Sequence, residues 1–247
     1  MLGVRPARAL YGARAERPIA LASWKLTTPM VPRTRANPDM RTSNLNGKSP
    51  CLAVNTDLHP IIEAAAEGTL PDWATVSSAR RAHMVRVSEL VGAWADALDL
   101  SRSDRLRWRA VGYLHDALRE VSPDQLRPEV PPRYRSLPGP LLHGPAVAER
   151  LRGLCVHDSE LLAAVTYHTT GHESLGAMAR ALYAADFLEP GRTFSPEWRA
   201  GLRDRMPTEL DHVTREIVAA RISHVVDRGI DLLPDTVAFW NVLAAEG

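Results

Sequence analysis

After Leu58, apolar side chains recur at spacings of three and four, and the recurrence predicts helices along the rest of the chain. Ser77 or Ser78 can cap a helix whose apolar face carries Met84, Val87, Leu90, Val91, Trp94 and Leu98, with His83 on its border. A second helix is expected to start between Ser101 and Ser103, with Asp104 in its first turn. It runs through Leu106, Ala110, Leu114, Ala117 and Val121 to a stop at Ser122-Pro123, so His115 and Asp116 fall in its last two turns. A proline-rich connection follows. Pro145 then suits the first turn of a short helix through Ala148 and Leu151, with His143 just before it. Asp158 or Ser159 can cap a helix in which Leu161, Val165 and His168 share one face and which Gly171 ends. The segment 175–188 aligns Met178, Leu182 and Asp186 at spacings of four. A short helix after Pro196, a long one over 208–228 and a terminal one over 236–245 complete the pattern. No strand-length alternation and no repeat interrupts it, so the prediction is an all-α, single-domain bundle over 58–246.

Residues 1–50 break this pattern. They are rich in Arg, Pro, Ser, Thr and Asn, without helical or strand period, and are expected to be a disordered extension. Nine Lys or Arg face only Glu16 and Asp39 there, a balance of +7 that leaves the remainder at −6 within a net charge of +1. A transit peptide or a nucleic-acid arm would suit that composition. The reading preferred here is a start codon assigned too early, with Met30 or Met40 as the beginning. The mildly acidic remainder gives no reason to expect nucleic-acid or membrane binding. Two cysteines, Cys51 and Cys155, without a CxxC spacing argue against a disulfide scaffold or a thiolate metal site and fit a reducing, cytoplasmic setting.

The candidate chemistry lies in polar residues on the apolar faces: His83, His115-Asp116, His143, His168 and Asp186. Each alone has a plain explanation, a hydrogen-bonded core histidine or, for Asp186, an ion pair with Arg180 or Arg192. Together they are harder to dismiss, because an unpartnered buried polar group costs about 1–3 kcal/mol. A metal ion satisfies nitrogens and carboxylates at once. Four His and two Asp form a mixed donor set suited to iron, manganese, cobalt or zinc, and they exceed what one tetrahedral ion needs. The excess suggests two ions with a shared carboxylate. His59, His157, His212 and His224 fall outside the pattern and read as surface or cap residues. Phe239-Trp240, Trp94 and Trp108 read as core packing.

The ordered set, with Leu141-Leu142-His143-Gly144-Pro145, Tyr167-His168-Thr169-Thr170-Gly171 and Ala185-Asp186-Phe187-Leu188-Glu189-Pro190-Gly191-Arg192, resembles the HD phosphohydrolase superfamily. Within it the motifs are most similar to the YqeK-like symmetrical diadenosine tetraphosphate hydrolases. The resemblance is densest over 80–192 and does not cover 1–50. It implies an HD-type bundle around a dimetal site, typically of two irons. His83, His115, Asp116 and Asp186 would hold one ion, His143 and His168 the other, with Asp116 bridging. It also implies symmetrical cleavage to two ADP by a metal-activated hydroxide, with a nucleotide as partner.

Arg119 and Arg192 could neutralise phosphate charge, and Thr169, Thr170, Gly171 and His172 could line the substrate pocket. Asp116, Arg119 and Arg192 are thus the candidate catalytic residues. Two departures bear on substrate choice: the family usually has Lys where Arg119 stands and Arg more often than His at position 172. The alternatives are an HD hydrolase for another nucleotide (a mono- or triphosphate or a cyclic nucleotide) and a regulator that binds nucleotide or metal without turnover. The sequence leaves a homodimer open.

Overall fold

The computed structural model describes residues 58–246, so the expectation of disorder for 1–50 lies outside the described residues. Among the described residues the secondary structure is entirely helical. Helix α1 spans Pro60–Ala66, α2 Ser78–Ala97, α3 Arg102–Leu114, α4 Pro123–Leu126 and α5 His143–Gly153. Then come α6 Ser159–Tyr167, α7 Ala177–Leu188, α8 Pro196–Arg205, α9 Leu210–Asp227 and α10 Pro234–Ala245. The caps follow from local chemistry. The side chains of Ser77, Ser101 and Asp158 accept hydrogen bonds from the backbone N–H groups of Arg80, Asp104 and Leu161, filling donors that the first turn leaves open. Prolines open α1, α4, α8 and α10, where a missing N–H costs nothing.

Helix α7 occupies the middle of the bundle and packs against α2, α3, α6, α8 and α9, while α10 covers α9. Its Met178, Leu182, Tyr183 and Leu188 meet Met84, Val87 and Val91 of α2 and Leu114 of α3 in one continuous core. Each such aliphatic side chain contributes about 1.5–3 kcal/mol when fully buried. Trp94, Trp108 and Phe239 are buried, as expected of core residues. His157, His212 and His224 are exposed, and His59 caps α1. None of the described helices is long and apolar enough to cross a membrane.

Three boundaries differ from the pattern-based expectation. Helix α3 ends at Leu114, with His115 as its C-cap, instead of continuing to Val121. Beyond it the chain winds through three-residue turns, in which Ala117, Arg119 and Val121 donate to the carbonyls of Leu114, Asp116 and Leu118. Ala117 and Leu118 stay fully buried, so these tight turns preserve the apolar spacing while ending the regular helix. His143 is the first residue of α5, one position inside it. The proline-rich connection is also ordered, folding into α4 and two 3-10 turns at Pro132–Tyr134 and Gly139–Leu141.

Candidate metal centre

Five helices deliver the six residues to one place. His83 lies in the second turn of α2, His115 caps α3 and Asp116 follows it. His143 opens α5, His168 caps α6, and Asp186 stands in the last turn of α7. Helices α5 and α6 approach closely because residue 144 is glycine. A Cβ there would sit 2.7 Å from the Val165 carbonyl oxygen and 2.8 Å from that of Thr166. That approach sets His143 against His168, with Nε2 atoms 3.0 Å apart.

Asp116 lies between two groups of donors. Its Oδ2 is 3.6 Å from His83 Nε2 and 3.5 Å from His115 Nε2. Its Oδ1 is 3.1 Å from His143 Nε2 and 3.5 Å from His168 Nε2. Asp186 joins the first group, with Oδ1 3.1 Å from His83 Nε2 and 4.0 Å from His115 Nε2. All four imidazoles and Asp116 are buried.

The outer nitrogens fix which way the rings present themselves. His115, His143 and His168 donate from Nδ1 to the carbonyls of Gly112, Pro140 and Val165 at 2.8, 2.9 and 2.7 Å. A carbonyl only accepts, so the proton sits on Nδ1 and the inward Nε2 carries a lone pair. His83 meets a carboxylate instead, with Nδ1 3.2 Å from Glu189 Oε1. Among the described residues the buried, inward Nε2 atoms of His83 and His115 have no hydrogen-bond partner.

Lone pairs facing carboxylates are repulsive unless a proton or a metal ion stands between them. Protons are a poor answer near neutral pH. Burial pushes His115 down to about 4, outweighing the attraction of Asp116, and burial also lowers His143. Burial raises Asp116 and Asp186, but the facing imidazoles more than offset it and hold both below the usual carboxylate range. The centre therefore keeps the Asp116 and Asp186 carboxylates anionic beside neutral His115 and His143, donors that suit a divalent cation. Two triads lie within ligand reach of a shared centre, His83, His115 and Asp186, and His115, Asp116 and His168.

The residues expected at the substrate side are less uniformly placed. Arg119 is half-buried, its side chain makes no hydrogen bond or ion pair among the described residues, and its charge reaches His143. Arg192 pairs with Asp186, Nη2 to Oδ1 at 2.9 Å, in place of standing free; Arg180 pairs instead with Asp211 and Glu246. Thr169 and Thr170 have their carbonyls tied by Arg221 and Thr236. The Gly171 N–H closes the end of α6 on the Tyr167 carbonyl at 2.8 Å, so that donor is not open to a phosphate. His172 stacks on Tyr167, ring centroids 4.3 Å apart, with Nδ1 held by Ser174.

Two residues at the centre escaped the sequence reasoning. Arg80 reaches Asp116 Oδ2 at 2.7 Å, from one turn before His83 on the same helix face. Glu189 is buried behind His83 and lies 106 residues from it in sequence. The spacing of three from His83 could have flagged Arg80. Glu189 stood inside the Glu-Pro-Gly-Arg segment, but without a partner to reveal its task.

A family model described as HD domain matches residues 80–215. The symmetrical bis(5'-nucleosyl)-tetraphosphatase of Halalkalibacterium halodurans is 23% identical over 170 residues, covering 65% of this chain and 90% of the relative. The protein of that name from Staphylococcus aureus is 30% identical over 170 residues, covering 64% of this chain and 84% of its own length. A crystal structure from Clostridium acetobutylicum, described as an HD superfamily hydrolase involved in NAD metabolism, superposes with a TM-score of 0.62 at 20% identity. It covers 76% of this chain and 96% of that one, and at this identity it speaks to the fold alone.

Proposed function

This chain belongs to the HD domain family and is a metal-dependent phosphohydrolase, and from that premise we propose that it cleaves diadenosine tetraphosphate symmetrically to two ADP. The relatives of that name support the substrate class. The observation that carries the reading is the position of Asp116, whose two oxygens face different donor groups. In this reading 58–246 is the hydrolase domain. His83, His115, Asp116 and Asp186 would hold one ion, and His143 and His168, with Asp116 shared, would hold the other. Iron is the proposed metal, with manganese, cobalt and zinc also compatible with these donors.

Two such ions, when bound, polarise a phosphoryl oxygen and lower the pKa of a water at neutral pH. The chain's own residues do the rest. Asp116 holds the two donor groups in register, and the Nδ1 hydrogen bonds keep the imidazole lone pairs directed inward. Arg119, whose side chain has no partner among the described residues, supplies a planar fork for phosphate oxygens, and Arg192 stands at the rim beside Asp186. Water oxygen forms the new bond to a phosphorus flanking the central bridging oxygen of the tetraphosphate. The P–O bond to that bridging oxygen breaks, and each half leaves as a nucleoside diphosphate.

Chromatography of the products from diadenosine tetraphosphate and metal-loaded protein tests this. ADP alone is expected. Equal ATP and AMP would overturn the symmetrical cleavage. Turnover of another nucleotide in its place would move the substrate, and tight binding without any product would favour a regulator.

A further inference from the structure

The four imidazoles of the centre are not held alike. Three donate from Nδ1 to the carbonyl three residues back on their own strand of chain, a purely local anchor. His83 depends on Glu189, which is 2% exposed and arrives from the far end of α7. Glu189 is itself fixed. Its Oε2 accepts from Arg86 Nε at 2.5 Å and from the Gly191 N–H at 2.6 Å, while Oε1 faces His83 and lies 3.4 Å from Arg86 Nη2. Arg86 sits one turn beyond His83 on α2, so the same helix supplies the ring and the clamp on its carboxylate.

We propose that Glu189 is the positioning residue that sets the His83 tautomer, and with it the affinity of the metal position formed by His83, His115 and Asp186. The inference rests on the metal-centre reading above. A carboxylate can only accept, so Glu189 requires a proton on His83 Nδ1; with a metal ion in place of a proton between Nε2 and Asp186, which lie 3.1 Å apart, Nε2 is then free to be the ligand. Carboxylates in this role raise the basicity of a ligating imidazole and hold its orientation. Oε2 takes the two short N–H contacts, at 2.5 and 2.6 Å, whereas the guanidinium nitrogens Arg86 Nη2 and Arg192 Nε stand 3.4 and 3.6 Å from Oε1, and this difference fixes the sense of the arrangement.

That sense makes Glu189→Gln informative. The amide oxygen would take the Oε2 position against Arg86 and Gly191, because an NH2 there would meet two donors. The NH2 would then face His83 Nδ1 and turn it into an acceptor. The ring proton would move to Nε2, the atom a metal needs. The side chain keeps its size and most of its hydrogen bonds, yet one metal position is blocked.

Manganese(II) alone is the probe, titrated into metal-stripped protein with the free ion followed by electron paramagnetic resonance. The unaltered chain is expected to bind two ions. Glu189→Gln is expected to bind one as before and the other about 10–100-fold more weakly. Two ions bound by the variant as tightly as by the unaltered chain would overturn the inference and leave the metal centre standing. No binding by the unaltered chain would overturn the metal centre itself. Should the variant fail to fold, histidine-selective 15N spectra of the unaltered chain loaded with zinc decide. His83 bound through Nε2 with its proton on Nδ1 is the expected form, and a His83 that keeps its proton on Nε2 overturns the proposal.

Discussion

His143 and His168 face each other through Nε2 atoms 3.0 Å apart, while each donates from Nδ1 to a backbone carbonyl. Two lone pairs at that distance repel, and a shared cation turns the repulsion into coordination. Removing metal should therefore destabilise the fold, because the ion binds the folded arrangement and the unfolded chain offers no such cluster. At a metal concentration 100 times the dissociation constant the contribution is about 2.7 kcal/mol. Thermal unfolding before and after chelation measures it. The midpoint should fall by several degrees on stripping and recover with manganese, and the recovery should shrink in His143→Ala. A midpoint indifferent to metal would contradict the centre described here.

The stripped protein should also be acid-labile. Burial holds His115 at about 4 in the folded chain against 6.5 unfolded. Between these values the unfolded chain binds a proton that the folded chain refuses, so stability rises with pH. The contribution is fully present above about pH 6.5 and is lost progressively as pH falls towards 4. At 1.36 kcal/mol for each pH unit it amounts to about 3 kcal/mol. Asp116 and Asp186, held below the usual carboxylate range, act in the same direction at lower pH. Urea midpoints of stripped protein on either side of this window provide the measurement. His115→Asn should flatten the slope, and an equally steep slope without His115 would assign it elsewhere.

Replacing Asp116 should cost more than replacing any single imidazole, because its two oxygens face two different pairs of imidazoles, Oδ2 towards His83 and His115 and Oδ1 towards His143 and His168. Asp116→Ala is expected to reduce turnover by well over the roughly 100-fold typical of residues that only orient a ligand, and to lower the bound metal measured by elemental analysis. Full metal content with full activity would remove Asp116 from the centre.

The helical faces were legible because their chemistry is local. Ser77, Ser101 and Asp158 cap helices where the sequence signals stood, and the three-and-four spacing marks the buried side of α2 and α7. The six polar residues on those faces could also be read, since burial without a partner is costly whatever the fold. The end of α3 could not. Ala117 and Leu118 are buried in three-residue turns as fully as they would be in a helix, so the apolar pattern does not separate the two. Glu189 was hidden for another reason. Its role exists only in the pairing with His83 across the bundle, and neither residue carries a local trace of it. Arg192 reads equally as a phosphate contact or as an ion-pair partner of Asp186, and the spacing alone does not choose between them; the fold pairs it with Asp186.

Gly171 links the centre to the C-terminal helix. Its φ is +71°, and a Cβ there would lie 2.1 Å from Phe239 Cδ1, a ring at full burial. Gly171→Ala should combine the left-handed backbone cost of about 1–2 kcal/mol with an overpacking cost of about 1–3 kcal/mol. Denaturant unfolding should show the loss, and Phe239→Ala in the same chain should relieve the overpacking part while adding a cavity of its own. A Gly171→Ala protein as stable as the unaltered one would mean that this turn does not hold the His168 loop against α10.

Arg119 and Arg192 should separate by what each removal disturbs. Arg119 has no hydrogen bond or ion pair to lose among the described residues, whereas Arg192 holds Asp186 through Oδ1 and the backbone carbonyl. Arg119→Ala is therefore expected to leave the unfolding midpoint and the metal content unchanged. Its kcat/KM should fall by about 10–100-fold, the range for a lost hydrogen bond to a charged group. Arg119→Lys should recover part of that loss, since an ammonium keeps the charge but not the planar fork. Arg192→Ala should alter metal retention as well, because Asp186 loses its partner. Parallel kinetics, thermal unfolding and elemental analysis on the three variants distinguish these outcomes. If Arg119→Ala destabilised the protein while leaving kcat/KM intact, Arg119 would be a structural residue and the phosphate fork would have to lie elsewhere.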